Sequence, residues 1–192
     1  MLKVTLLAKA EASYTDEASD LVTLSQQGDP EAFHVLFRRY SKPILSFIYN
    51  LTGNKALAEE LTQETFVRAY QNLSKLQDAS KFSSWLFGIA KNTVRENLKE
   101  NTGNQYLELD QVNLTNQQTP DKDVFNQQLN QAIKTAILEL SEDWRIVFTL
   151  KMLQQKSYEE IAEITGWSIG KIKTDLHRAR LALRSKLENR FY

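Results

Sequence analysis

This 192-residue chain contains no cysteine, so neither disulfides nor thiolate metal sites are available to it. Its two histidines, His34 and His177, are far apart in sequence and give no basis for a dedicated metal site. Glycine (6) and proline (3) are scarce. Sandwiches and barrels need many turn residues, so a chain this poor in breakers leans helical. No run of 18 apolar residues is present, and no membrane span is expected. The apolar stretch Val4 to Ala8 lacks a long hydrophobic core and a small-residue cleavage site, so it does not read as a signal peptide. There is no glycine-rich phosphate loop, metal cluster or nucleophile–base pair, so the chain does not read as an enzyme, and no cofactor is expected.

The formal net charge is zero, but the charges are not evenly spread. Residues 11–64 hold nine acidic and four basic residues, a net of −5. Residues 168–192 hold seven basic and two acidic residues, a net of +5. The basic tail is the part suited to neutralising phosphates.

Helix signals punctuate most of the sequence. A first helix is expected from about Glu17 to Gly28. Asp29-Pro30 then reads as an N-cap followed by proline at the first helical position. The next helix carries Phe33, Leu36, Phe37 and Tyr40. Pro43 is expected to restart the chain into a further helix ending at Gly53. From about Lys55 to Leu73, Ala58, Leu61, Thr65, Phe66, Ala69 and Leu73 share one arc, while Glu59, Glu60, Gln63 and Glu64 share the opposite one. That acidic arc is either a solvated face or a surface for a basic partner helix. A further helix is expected from about Ser83 to Lys99.

Of the twenty residues 101–120, eleven are Asn, Gln or Thr, too little apolar surface to offset the entropy of ordering. The expected fold is therefore all-α: two small helical domains joined by a flexible polar linker. The divisions are an N-terminal arm over 1–17, a first domain over 18–100, a linker over 101–121 and a second domain over 122–192.

Two segments carry chemistry. Ser157-Tyr158-Glu159-Glu160 opens with a capping box, Gly166 ends that helix, and Ser168 caps a second helix from Ile169. Two short helices around a glycine-containing turn make a helix-turn-helix. On the second helix Ile172, Leu176, Ala179, Leu183 and Leu187 form one packing stripe. Lys171, Lys173, Thr174, His177, Arg178 and Arg180 point elsewhere and suit a major groove, through phosphates, guanine edges or a thymine methyl. A basic amphipathic helix by itself also fits a solvated face; the caps and turn in register favour DNA. The other segment is Lys81-Phe82-Ser83-Ser84-Trp85-Leu86-Phe87-Gly88-Ile89-Ala90-Lys91-Asn92, with Arg95 and Lys99 beyond. Its aromatics suit a core, and interleaved with bases they also suit single-stranded nucleic acid.

Together these stretches resemble the extracytoplasmic-function sigma factors of the sigma-70 superfamily. Ala58 to Tyr70 looks like their polymerase-binding segment, Phe82 to Asn92 like the segment that melts and reads the −10 element, and Ser157 to Leu187 like the region that reads the −35 element. The resemblance implies that Glu59, Glu60, Gln63 and Glu64 face the clamp helices of core RNA polymerase. It implies that the loop Asp78 to Ser83 holds a flipped −10 base, with Lys81, Phe82, Ser83, Trp85, Lys91, Asn92 and Arg95 near the strand. Lys171, Lys173, Thr174, His177, Arg178 and Arg180 would then meet the −35 element. It further implies promoter DNA and an anti-sigma factor as partners, and a cytoplasmic site of action with tethering at the membrane through that anti-sigma factor; no small-molecule substrate is implied. Asp175 stands where family members often carry Arg. On the helical wheel it lies about 60° from Ile172, where an exposed pair with Lys171 or Arg178 is expected. The competing class is a stand-alone helix-turn-helix regulator, which would bind duplex DNA tightly without polymerase. Its response-regulator form would need a receiver domain of alternating strands, and the N-terminal half shows none.

Overall fold

A computed structural model describes the backbone of residues 17–100 and 120–191, and the side chains of 17–100 and 129–188. The expected N-terminal arm (but for residue 17) and the polar linker, but for its last two residues, lie outside the described residues.

Helix starts and stops follow the expected caps. Helix α1 is seen over residues 17–26. Asp29 then accepts hydrogen bonds from the amides of Glu31 (2.9 Å) and Ala32 (3.3 Å), opening α2, Pro30–Thr52. The Asn54 side chain accepts from the Leu57 amide (2.9 Å) and opens α3, Lys55–Asn72. Two 3-10 turns, Leu73–Lys75 and Ala79–Lys81, lead into α4, Phe82–Glu100. The second half holds α5 (Pro120–Leu138), α6 (Glu142–Phe148), a single π-helical turn over Thr149–Leu153, α7 (Tyr158–Thr165) and α8 (Ile169–Phe191). Among the described residues there is no strand.

The break expected at Pro43 is absent: α2 runs through it. Proline removes one amide donor and crowds the preceding turn. Here Leu36 on one side of it, and Ile44, Phe47, Ile48 and Leu51 on the other, are all buried in one core, so packing holds both turns on a single axis. Local breaker chemistry loses to tertiary burial.

The apolar arc of α3 is buried as expected, with Ala58, Leu61, Thr65, Phe66, Ala69 and Leu73 all inside. The two halves dock on each other. One apolar cluster runs from Val22, Phe47 and Phe87 into Ile146, Leu150, Ile161, Ile164 and Ile172. A smaller one joins Ala136, Ile137 and Leu140 of α5 to Ala179 and Leu183 of α8. Helix α4 lies against α7, and the end of α2 lies against α5 and α6. Gly53 sits at that second seam with φ 72°, and a Cβ there would fall 2.6 Å from Leu138 Cδ1. The left-handed turn favours glycine, and any side chain there would also displace the end of Leu138.

Candidate nucleic-acid interface

The helix-turn-helix is built by caps. Ser157 Oγ accepts from the Glu160 amide (3.0 Å), and the Ser157 amide donates to Glu160 Oε2 (2.7 Å). Burial opposes the Glu160 charge, but hydrogen bonds from Lys156 and from the Ser157 amide outweigh it and hold the carboxyl below the ordinary glutamate pKa. Gly166 (φ 75°) closes α7 by donating its amide to the Ala162 carbonyl (2.8 Å). Ser168 Oγ accepts from the Lys171 amide (3.2 Å) at the start of α8.

On α8 the stripe Ile172, Leu176, Ala179 and Leu183 is buried, and Lys171, Lys173, Thr174, His177, Arg178 and Arg180 are exposed. They differ in their engagements. Lys173 lies over the Tyr158 ring (5.4 Å), and Arg180 donates to Met152 Sδ (3.2 Å). Lys171 is the most constrained: it bonds Asp175 and Asp143 (2.9 Å) and stacks on Trp167 (4.0 Å). Asp175 departs from expectation. It does pair with Lys171, but it is 5 % exposed and so is a buried side chain, not an exposed one. Its position beside the stripe buries it, and its carboxylate accepts from the Lys171 ammonium.

The expected −10 residues separate into two sets. Trp85, half-buried, and Asn92, exposed, line a shallow groove of about 300 Å³ with Arg68, Asn72, Lys75 and Ile89. The remainder face the second half or the core. Lys81 pairs with Glu163 (2.8 Å), and Ser83 Oγ accepts from Lys156 Nζ (2.8 Å). Arg95 pairs with Glu142 and with Asp143 (2.9 Å) and lies 5.6 Å from the Trp167 ring centre. Two residues correct the sequence reading. Phe82 is 1 % exposed, packed edge-on against Tyr40 (5.3 Å) and beside Trp85 (5.9 Å), so it supports the loop from beneath and offers no surface to a base. Lys91 is 7 % exposed, and its ammonium donates to the carbonyls of Ile164 (3.1 Å) and Thr165 (3.5 Å). Burial, then the neighbouring Arg95 charge, lowers its pKa.

The loop before α4 is itself ordered by a carboxylate. Asp78 accepts from the Ser80 amide (3.0 Å) and hydroxyl (2.6 Å), and these bonds lower its pKa.

On α3, Glu59, Glu60 and Gln63 are exposed, and Glu64 is held by Arg68 (2.6 Å), which also reaches Glu96 (2.5 Å). Val67 and Tyr70 are 55 % and 56 % exposed on the same face of α3, and the Tyr70 ring packs edge-on against Phe33 of α2 (4.9 Å). Sequence reading passed over these two, although the projection that places Glu60 and Gln63 sets Val67 between them.

Comparison with known proteins finds relatives over most of the chain. The sigma-70 region 2 family matches residues 36–103, and sigma-70 region 4 matches residues 130–183. The RNA polymerase sigma factor YlaC of Bacillus subtilis is 32 % identical over 155 residues, covering 79 % of this chain and 90 % of that protein. The ECF RNA polymerase sigma factor SigW of the same organism is 31 % identical over 174 residues, 85 % of this chain and 93 % of its own length. Among solved structures, the sigma factor RpoE in complex with the anti-sigma factor NepR from Bartonella quintana superposes with a TM-score of 0.64 at 27 % identity, covering 81 % of this chain and 96 % of that one. CnrH, in complex with the cytosolic domain of CnrY, shares the fold at a TM-score of 0.70 and 20 % identity, over 90 % and 98 % of the two chains. Two sigma regions in one chain, in this order and on this fold, and relatives matched over most of their length, place the protein: it belongs to the ECF family of sigma-70 RNA polymerase sigma factors.

Proposed function

We infer that the chain is an alternative sigma factor, which binds core RNA polymerase and directs it to a specific set of promoters. The observation that carries this reading is a single chain with region 2 before region 4, the latter presenting its basic helix-turn-helix residues on α8 to solvent. Sigma factors of this kind initiate transcription and catalyse no reaction of their own. Among the described residues, no helix is long and apolar enough to cross a membrane.

The residue roles follow from exposure and chemistry. The proposed polymerase face is Glu59, Glu60, Gln63 and Glu64 of α3, extended by Val67 and Tyr70: acids to meet basic helices, with two apolar anchors among them. The proposed −10 reader is the Asp78 to Ser83 loop with Trp85 and Asn92, where an indole beside an amide can stack on and bond an unpaired base. Lys81 and Arg95 are proposed to reach the strand once released from their carboxylate partners. The proposed −35 reader is α8 through Lys173, Thr174, His177, Arg178 and Arg180, with Lys171 at its start. The chain is proposed to divide into an arm (1–17), region 2 (18–100), a linker (101–121) and region 4 (122–192). A solved relative held by an anti-sigma factor supports the expectation of such a partner here, with the chain acting in the cytoplasm or held at the membrane through that partner.

Transcription in vitro with core polymerase over a promoter library tests the reading. Promoter-specific transcripts that require the added protein are expected. Tight duplex binding by the protein alone, with no transcript and no association with core polymerase, would point to a stand-alone regulator.

A further inference from the structure

Among the described residues Asp175 is the only buried carboxylate, and it lies in the second turn of the helix proposed to read DNA. Its neighbours on the inner side of α8, Ile172, Leu176 and Ala179, are buried and apolar. A charge among them is unfavourable unless it is paired. The partner is Lys171, one helical turn earlier. That ammonium is also held from outside the helix. It donates to Asp143 Oδ2 of α6 (2.9 Å), 28 residues away in sequence. It lies 4.0 Å from the ring centre of Trp167, in the turn that precedes α8. Trp167 packs in turn on the main apolar cluster. One cation thus joins α6, the turn and α8.

Buried as it is, Asp175 cannot accept from a base edge, so its effect on sequence reading runs through position. An apolar stripe permits small rolls of a helix, whereas a buried ion pair has one geometry and fixes register. The tolerance is small. A roll of α8 by about 20° moves a side-chain end at a radius of about 6 Å by about 2 Å. That displacement exceeds the range of lengths over which a hydrogen bond to a base holds. Thr174, His177 and Arg178, all exposed, lie one to three residues from Asp175 and share its fate in such a roll.

We propose that Asp175 is a positioning residue of the −35 reader: with Asp143 it grips Lys171 and locks α8 against α6 and the turn, so that Thr174, His177 and Arg178 meet fixed bases. Lys171 then serves as the pin rather than as a phosphate contact. Its ammonium has three donors, and two of them already face carboxylates while the indole covers another side. The inference rests on the sigma-factor reading and deepens it at the −35 site.

Holoenzyme assembled from core polymerase and the full chain, transcribing a library randomised across the −35 element, gives the ranking of sequences. Lys171→Met with Asp175→Leu removes the pair, keeps side chains of similar size and leaves the net charge unchanged. Discrimination between the preferred −35 sequence and its single-base variants should fall by about tenfold, the worth of one good base contact. Holoenzyme binding to random-sequence duplex should stay at the parent value, since a lost phosphate contact would weaken every sequence alike. Circular dichroism checks that the fold is kept; where the double variant loses helix, Asp175→Asn, of equal size, is read by the same two measurements. Lys171→Arg keeps a cation between the carboxylates and should keep the parent ranking. The proposal is overturned if the helical variant ranks sequences as the parent does, or if it loses affinity for random duplex. It is also overturned if Lys171→Arg flattens the ranking as far as removal of the pair. A parent chain that gives no specific transcript with polymerase would instead sink the sigma-factor reading.

Discussion

Of the two surfaces proposed for DNA, the α8 face turns Lys173, Thr174, His177 and Arg178 to solvent, whereas the α4 face has Lys81, Ser83, Lys91 and Arg95 engaged by the other half. Both faces carry bases at helical spacing, and by sequence they look alike. The difference lies in what covers them. A cation on an outer face is available for phosphate; a cation at a seam is committed to a carbonyl or carboxylate and contributes first to the arrangement of the halves. Electrostatic candidates for binding need this sorting before any role is given to them.

The comparison can be broken most severely on the outer face. Lys173→Ala combined with Arg178→Ala should cut initiation at −35-dependent promoters by about tenfold to a hundredfold, since a good base or phosphate contact is worth about 1–3 kcal/mol. Folding stability should stay within about 0.5 kcal/mol of the parent, as for other surface changes. Wild-type initiation by the double variant would remove α8 from the groove. The seam should behave in the opposite way. Arg145→Ala leaves the carbonyls of Leu51 and Leu140 without their donor, so urea unfolding should show a loss of about 1–3 kcal/mol. An unchanged midpoint would mean that Arg145 is not a structural cation.

A third surface belongs to neither class. Val67→Asp puts a charge on the exposed apolar spot of α3 without touching the core, and should weaken association with core polymerase by about tenfold. Helical content and duplex binding should be unaltered; equal affinity for core polymerase would reduce that patch to bare surface. The smallest effect is expected at the capping box. The Glu160 carboxyl is held below its ordinary pKa in the folded chain, so its stabilisation is complete at neutral pH and is lost as pH falls through the ordinary glutamate range toward the lowered folded value. Glu160→Gln should lower stability at pH 7 by about 0.5–1 kcal/mol and flatten the pH dependence on the acid side. Urea midpoints at neutral and acid pH compare the two proteins, and parallel curves would deny the carboxylate that part.

Much of this was legible in the sequence, and the exceptions have a common cause. The arc of α3, the stripe of α8, the capping box and the glycine stop were readable because each is set within a few residues. Lys91 misled because its partners, Ile164 and Thr165, lie 73 and 74 residues away, and no local pattern announces them. Phe82 misled because an aromatic beside lysines looks the same whether it stacks on Tyr40 or on a base. Asp175 was placed correctly on the wheel and paired with the right lysine. Its burial depends on tertiary packing around α8, which no pattern within the helix announces. At Pro43 the rule was sound and the core overrode it.

The fixing of Lys171 between Asp143 and Asp175 has a thermodynamic consequence for promoter binding. Affinity for duplex DNA falls with salt because each phosphate neutralised releases condensed counterions, about 0.9 in the logarithmic slope per contact. Lys171 brings two carboxylates with it to a phosphate and adds little to that slope. Lys173, Arg178 and Arg180 pair with no carboxylate among the described residues, and they carry the slope. Region 4 should therefore show a gentler salt dependence than its tally of positive charges suggests, with a correspondingly larger share of its affinity in contacts that salt does not screen.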